Sequence, residues 1–144
     1  MHGLTDNLEI RYVNDPVAAA NNTDDNSTII DMADYESVTF ITSVEGSVSG
    51  GVAALTVEGN DANQDAGMAA ISGAVATKTS AGSNDIKGKS LVVEVRNPAK
   101  RFLQAVITST TQNIAFGATF AILKPRRLPA EPHSTNLATA FVSD

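Results

Sequence analysis

Asp61-Ala62-Asn63-Gln64-Asp65 sets three oxygen donors at alternate positions, which is the opening of a calcium-binding loop. That geometry also needs a glycine at the sixth position and a bidentate glutamate at the twelfth, and Ala66 and Ser72 stand there instead. The stretch therefore reads as a solvated loop, with a weak calcium site on Asp61, Asn63 and Asp65 as the alternative. Asp24-Asp25 reads likewise as a solvated turn, and no metal or cofactor is expected. Gly46-Ser47-Val48-Ser49-Gly50 is laid out somewhat like a nucleophile elbow, but that motif puts its serine midway between the glycines, where this chain has Val48. The two histidines, His2 and His133, lie in terminal segments that position a general base poorly. No glycine-rich turn stands between a strand and a helix to cradle phosphate. The absence of cysteine removes thiolate nucleophiles, thiolate metal sites and disulfides together. The chain reads as a protein that is not an enzyme, and a small hydrolase relying on His133 is the minority reading.

The basic residues are the remaining chemical feature. Arg96, Lys100 and Arg101 flank one turn, and Lys124, Arg126 and Arg127 open the C-terminal segment. Antiparallel pairing of the two strands between them would bring some of these six together as a partner-binding cluster, the arginines gripping carboxylates bidentately. Solvated charges that keep strand ends in water are the alternative. The net charge of −6 argues against general nucleic-acid binding. It also hides a division: residues 1 to 65 hold twelve acids against Arg11 alone, whereas residues 66 to 144 hold nine bases against four acids. If the halves fold onto different surfaces the molecule is electrically polarised; if they interleave, the charges mix. Asn21-Asn22-Thr23 and Asn26-Ser27-Thr28 fit the glycosylation pattern but read as ordinary turn residues.

The elements that must position these residues are strands. At 144 residues, one domain with one core is expected. With aromatics at 5%, that core must be built from Val, Ile, Leu and Ala, which favours modest stability and support from oligomerisation or a partner. Leu8–Val13 and Ser27–Met32 read as short strands around a loop from Asp15 to Ser27, which is rich in Asn and Asp. Ser37–Val44 alternates, with Val38, Phe40, Thr42 and Val44 on one face, and Val52–Glu58 does so with Ala53, Leu55 and Val57. Met68–Lys78 is alanine-rich, but Gly73 is poor in a helix interior, and Ile71, Val75 and Thr77 keep period two with it, so a strand is preferred. A linker from Thr79 to Lys89 precedes Ser90–Arg96, where Leu91, Val93 and Val95 share a face. Arg101–Thr108 and Ile114–Leu123 are expected to be well buried and to form a central hairpin. Pro125, Pro129 and Pro132 then prevent a regular ladder. The expected architecture is an all-β, jelly-roll-like antiparallel sandwich of about eight strands over residues 1–124, with residues 1–7 flexible. An extended arm over residues 125–144 follows, with a short terminal strand at Ala138–Val142. No stretch approaches the roughly 20 apolar residues that span a bilayer, and Met1–Leu8 has no leader pattern, so a soluble chain without a membrane partner is expected.

Three stretches carry a resemblance. They are Ile30-Asp31-Met32-Ala33-Asp34-Tyr35-Glu36-Ser37-Val38-Thr39-Phe40, then Leu91-Val92-Val93-Glu94-Val95-Arg96-Asn97-Pro98-Ala99-Lys100-Arg101-Phe102, then Thr111-Gln112-Asn113-Ile114 running to Leu123-Lys124-Pro125-Arg126. In order and spacing they resemble small tailed-bacteriophage virion proteins of the capsid cement or decoration type, over most of residues 28 to 127. The resemblance implies a jelly-roll sandwich on the outer surface of an icosahedral capsid. It would be made in the host cytoplasm, bridge neighbouring subunits of the major capsid protein, and associate with itself as a dimer or trimer. It further implies that the arm from Lys124 and the acidic loop Asp15–Asp25 reach adjacent subunits while the basic cluster meets acidic capsid surface. The alternative of a different class is a carbohydrate-binding or host-adhesion β-sandwich module. Its weakness is the absence of Trp and the presence of only Tyr12 and Tyr35 for sugar stacking.

Overall fold

The computed structural model describes residues 3–140 and Val142. It is all-β apart from one helical turn, α1 (Leu4–Asn7). That turn begins at Gly3, whose N–H donates to the Asp6 carboxylate at 3.1 Å. The strands are β1 (Glu9–Asn14), β2 (Val17–Ala20), β3 (Asp24–Asn26), β4 (Ile30–Asp31), β5 (Tyr35–Ser47), β6 (Val52–Asn60), β7 (Ala69–Thr79), β8 (Ser90–Arg96), β9 (Phe102–Thr110) and β10 (Ile114–Pro125). They form two antiparallel sheets. In sheet A the order is β1-β10-β5-β8, with β2 also on β10, and in sheet B it is β3-β9-β6-β7, with β4 also on β9.

Two pairs of these segments are single strands with an interruption. β1 and β2 run in sequence along the same edge of β10, from Glu9 opposite Leu123 to Ala20 opposite Ile114. The break falls at Asp15-Pro16, where proline has no N–H to give the ladder. β3 and β4 likewise run along β9, broken at Ser27–Ile29. There the buried Ser27 side chain takes the ladder's place, its Oγ accepting the Ala105 N–H at 2.9 Å, while its carbonyl accepts from Gln104. Thr28 N–H crosses to the Val13 carbonyl of sheet A at 2.9 Å. Counted this way, the eight strands lie in the orders 1-8-3-6 and 2-7-4-5. That is jelly-roll connectivity, in which six of the seven connections cross from one sheet to the other and only β6 to β7 joins neighbours within a sheet.

Alternation in the strands becomes burial where it was expected. Val38, Phe40, Thr42 and Val44 of β5 face inward, as do Ala53, Leu55 and Val57 of β6, Leu91, Val93 and Val95 of β8, and Leu103, Ala105 and Ile107 of β9. Phe40 and Phe116 are the fully buried aromatics, so branched aliphatics fill most of the core.

Four expectations are corrected. The segment Asp15–Ser27 is not a plain loop, because it carries β2 and β3; their polar and alanine residues pair because β9 and β10 offer edges, not because they alternate. β9 and β10 do not form a hairpin. Each is internal to its own sheet, and the turn between them, with Thr111 at φ 73°, carries the chain from one sheet to the other. In β7 Ile71 packs against the core as expected, but beyond Gly73 the inward residues are Ala74 and Ala76, while Val75 is exposed. Register against β6 jumps between Thr56 opposite Val75 and Glu58 opposite Ala70, and Gly73 sits in that bulge at φ 80°, switching the phase of the strand. Finally, residues 80–89 are a folded crossover, not a bare linker. Ile86 enters the core, Asp85 accepts from Ser80 Oγ and the Ala81 N–H, and the Asn84 side chain accepts the Ser47 N–H at 3.1 Å. No strand forms over residues 138–140, and Phe141 lies outside the described residues, as does His2.

Candidate functional site

The six basic residues meet at one end of the sandwich. In sheet A, Ser37 of β5 stands opposite Arg96 of β8 on one side and Lys124 of β10 on the other. In sheet B, β9 starts beside Asp31, and Asn60 opposite Phe102 leads into the loop that holds Asp61. The turns Met32–Asp34, Asn97–Arg101 and the start of the arm thus share this end. They are stitched by Met32 N–H to the Arg101 carbonyl, Asn97 N–H to the Glu36 carbonyl and Arg126 N–H to the Asp34 carbonyl, each at 2.8 Å.

Four of the six already hold carboxylates. Arg96 lies 2.8 Å from Glu94, Lys100 2.5 Å from Asp61, Lys124 3.0 Å from Glu36, and Arg101 embraces Asp31 at 2.9 and 2.7 Å while stacking over Phe102 at 5.0 Å. Arg101's hydrogen bonds hold the Asp31 carboxyl below the usual range, and Arg96 does the same for Glu94. Three of these pairs join an acid of the first half to a base of the second. Because strands of the two halves alternate in both sheets, acids of the first half meet bases of the second at this rim. Arg126 and Arg127 differ: among the described residues neither guanidinium has a carboxylate partner. They border an open cleft of about 560 Å³ that is also lined by Glu9, Asp34, Tyr35 and Glu131.

Behind this cleft lies a polar network that sequence reasoning missed. Glu9 and Arg11 lie opposite Leu123 and Ala121, on the inward face of sheet A. Arg11 donates to Glu9 at 2.5 Å and to the Tyr35 hydroxyl at 2.8 Å; the hydroxyl donates in turn to the other Glu9 oxygen, and the guanidinium sits 5.2 Å over the Tyr35 ring. Burial works hardest against the Arg11 charge, yet Glu9 and Tyr35 outweigh it and its pKa is raised. Burial and then the Glu9 hydrogen bond push the Tyr35 phenol up, so it stays protonated. The signal was present in the period-two set Glu9, Arg11, Val13, whose last member is a core residue.

The other candidates take ordinary roles. Asp61 faces Lys100, and Asp65 accepts from Asn26 at 2.9 Å; among the described residues no group of three His, Cys, Asp or Glu is placed to hold a metal ion. Asp25 accepts from Asn14 at 2.6 Å within the sheets. Ser47 is buried against Ser80, their hydroxyls 3.0 Å apart, and His133 sits in the arm against Thr135. The arm lies on its own chain: Ala130 N–H bonds the Asp6 carbonyl, Asn136 Nδ2 the Ile10 carbonyl, and Thr135 Oγ1 accepts the Tyr12 N–H, so the free edge of β1 is met by side chains.

No family model matches the chain, and no curated protein matches it. The residues and their geometry therefore carry the functional argument. Among the described residues no helix is long and apolar enough to cross a membrane. The arrangement offers ion pairs and, among the described residues, two guanidiniums without a carboxylate partner.

Proposed function

We propose that this chain is a structural virion protein, a cement or decoration protein that binds the outside of a bacteriophage capsid and bridges its major capsid subunits. The observation that carries the reading is convergence. The three stretches that resemble such proteins are far apart in sequence, yet Ser37 pairs with both Arg96 and Lys124, and Ile30 and Asp31 pair with Leu103 and Phe102. The three stretches thus run side by side in β5, β8 and β10 of sheet A and reach the basic rim together at Ser37, Arg96 and Lys124, while Thr111-Gln112-Asn113 lies at the other end, next to Ile114 opposite Ser47.

On this reading Arg126 and Arg127 are the contacts with capsid carboxylates, since the other four bases are satisfied within the chain. Many weak contacts of this kind suit a protein repeated over a symmetric shell, where avidity multiplies them. The test is co-sedimentation of the purified chain with empty shells of the phage whose genome encodes it. Saturable binding at a stoichiometry matched to shell symmetry, with shells made more resistant to heat, supports the reading. A chain that stays in the supernatant at every concentration overturns it.

A further inference from the structure

The two lateral sides of the sandwich are finished differently. On the side of β1 and β4, the Thr28 N–H crosses between the sheets to the Val13 carbonyl, and side chains of the arm meet the β1 edge. Core residues there are sealed, Ile30 being 1% and Val13 3% exposed. On the other side β7 ends sheet B and β8 ends sheet A, and among the described residues no hydrogen bond joins these two strands. The inward residues of β8 stay slightly open, with Leu91 and Val95 at 8% and Val93 at 7%. Water therefore reaches the core along β8.

β8 pairs with β5 without a break in register. The Val44 N–H donates to the Lys89 carbonyl and the Asn97 N–H to the Glu36 carbonyl, each at 2.8 Å, so it is the odd-numbered residues whose backbone groups face β5. Those of Ser90, Val92, Glu94 and Arg96 point away and, among the described residues, have no partner. The edge of β7 is blunted by its bulge at Gly73, and β8 has no such device. Where β8 begins, a cleft of about 240 Å³ lies between the sheets, lined by Val44, Ile86, Leu91, Ser90, Lys78 and Lys89. A cavity of roughly 150 Å³ holds benzene, so this one admits a large apolar side chain. Lys78 stands opposite the core residue Ala53 and so points into the gap between the sheets. Among the described residues neither lysine has a carboxylate partner. Lys89 Nζ donates to the Asp85 carbonyl at 2.9 Å, while the Asp85 carboxylate is held by Ser80 and the Ala81 N–H.

We infer that β8 is a strand-addition site, which takes an extended segment of a partner protein bearing an apolar anchor followed by a carboxylate. The segment continues sheet A antiparallel to β8, through the free backbone groups of Ser90, Val92, Glu94 and Arg96, over about 23 Å. Its inward side chains lie against Val95, Val93 and Leu91 in turn, and the last of these fills the cleft. Two residues further on, the next inward side chain comes beside Lys78 and Lys89, where a carboxylate meets two cations. An inward lysine at a sheet edge turns away a plain apolar strand, and here it also selects a charged one. The cleft lies at the opposite end of β8 from the basic rim at Arg96, so the inference does not rest on the capsid reading.

The probe is a capped seven-residue peptide with valine, valine, leucine and aspartate at alternate positions in that order and threonine between them. It is titrated into the isotope-labelled chain and followed by NMR. Saturable shifts centred on the amides of Ser90, Val92, Glu94 and Arg96, with slower hydrogen exchange at the same amides, are expected below millimolar peptide. Lysine in place of the peptide's aspartate weakens binding about fivefold. The double variant Lys78→Glu with Lys89→Glu, its fold checked by circular dichroism, reverses that preference. N-methylation of the threonines removes the N–H groups that face β8 and abolishes binding with every side chain kept. An unchanged spectrum at millimolar peptide, shifts confined to the basic rim, equal binding of the aspartate and lysine peptides, or binding by the N-methylated one would each overturn the inference. Amides of β8 that move with protein concentration alone would give the edge to a second copy and overturn it as well.

Discussion

Arg101 holds Asp31 by two parallel hydrogen bonds, Nε to Oδ1 at 2.9 Å and a terminal guanidinium nitrogen to Oδ2 at 2.7 Å. The pair ties the start of β9 to β4, but both side chains are about half exposed, so its worth is small. Arg101→Lys keeps a charge and loses the fork. It is expected to leave the urea midpoint nearly unchanged, since solvent screens an exposed pair. The sharper readout is Asp31 itself, followed by NMR through an acid titration. Its pKa is lowered in the folded chain, so the pair's contribution is present above the unfolded value and is lost as pH falls through the folded one. Arg101→Ala should bring the Asp31 titration back up towards an ordinary aspartate; an unmoved titration would mean that Arg101 is not its cause.

Glu58 titrates in the opposite sense. Burial first, then the charges of Asp24 and Asp65, raise its pKa. A carboxyl whose folded pKa exceeds its unfolded value takes up its proton more readily when folded, so stability falls as pH rises through the interval between them, and the penalty persists above it. Glu58→Gln should therefore raise the melting temperature at neutral pH, with the gain shrinking to nothing below about pH 4, where both forms are uncharged. An equal melting temperature at pH 7 would show that the face of sheet B tolerates the charge without cost.

The network of Glu9, Arg11 and Tyr35 responds differently, because its members are mostly enclosed. Side-chain exposure is 8% for Glu9 and 18% for Arg11. Glu9→Ala strands a guanidinium on the inner face of the sheet and should destabilise by about 1–3 kcal/mol, less than a fully buried pair would. Replacing both, as Glu9→Leu with Arg11→Met, should recover most of that loss. A double-mutant cycle with no coupling would show that the three groups do not act together.

What could be read from the sequence divides along the same physical lines. Alternation at Val38, Phe40 and Val44, or at Leu91, Val93 and Val95, is set by which face of a strand meets the core, and it was legible. β2 and β3 were not, because Ala18, Ala19, Asp24 and Asp25 have no pattern of their own and pair only because β10 and β9 present an edge. The phase of β7 turned on Gly73, whose positive φ inserts a bulge that no count of apolar residues reveals. Of the site, the six bases were legible as residues and not as a surface. Their carboxylate partners Asp31, Glu36 and Asp61 come from segments that only the rolled connectivity brings near.

Two glycines separate backbone need from open space. A Cβ on Gly51 would lie 2.8 Å from Ile114 Cδ1, 3.0 Å from the Val48 carbonyl oxygen and 3.3 Å from that of Gln112. Ile114 is fully buried and the two carbonyls belong to the turns that pass the chain between sheets, so none can yield cheaply. Gly51→Ala should cost about 1–3 kcal/mol. Gly82 has nothing within 4 Å of a built Cβ and no positive φ. Gly82→Ala is expected to be neutral or to stabilise by up to about 1 kcal/mol, by narrowing the unfolded ensemble. Urea unfolding of the two variants side by side checks the account, since both remove the same freedom from the unfolded chain and differ only in what the new methyl group meets. A Gly51→Ala protein as stable as Gly82→Ala would mean that the turn from β5 to β6 can open by several tenths of an ångström, and that the crossing between sheets is looser than its packing implies.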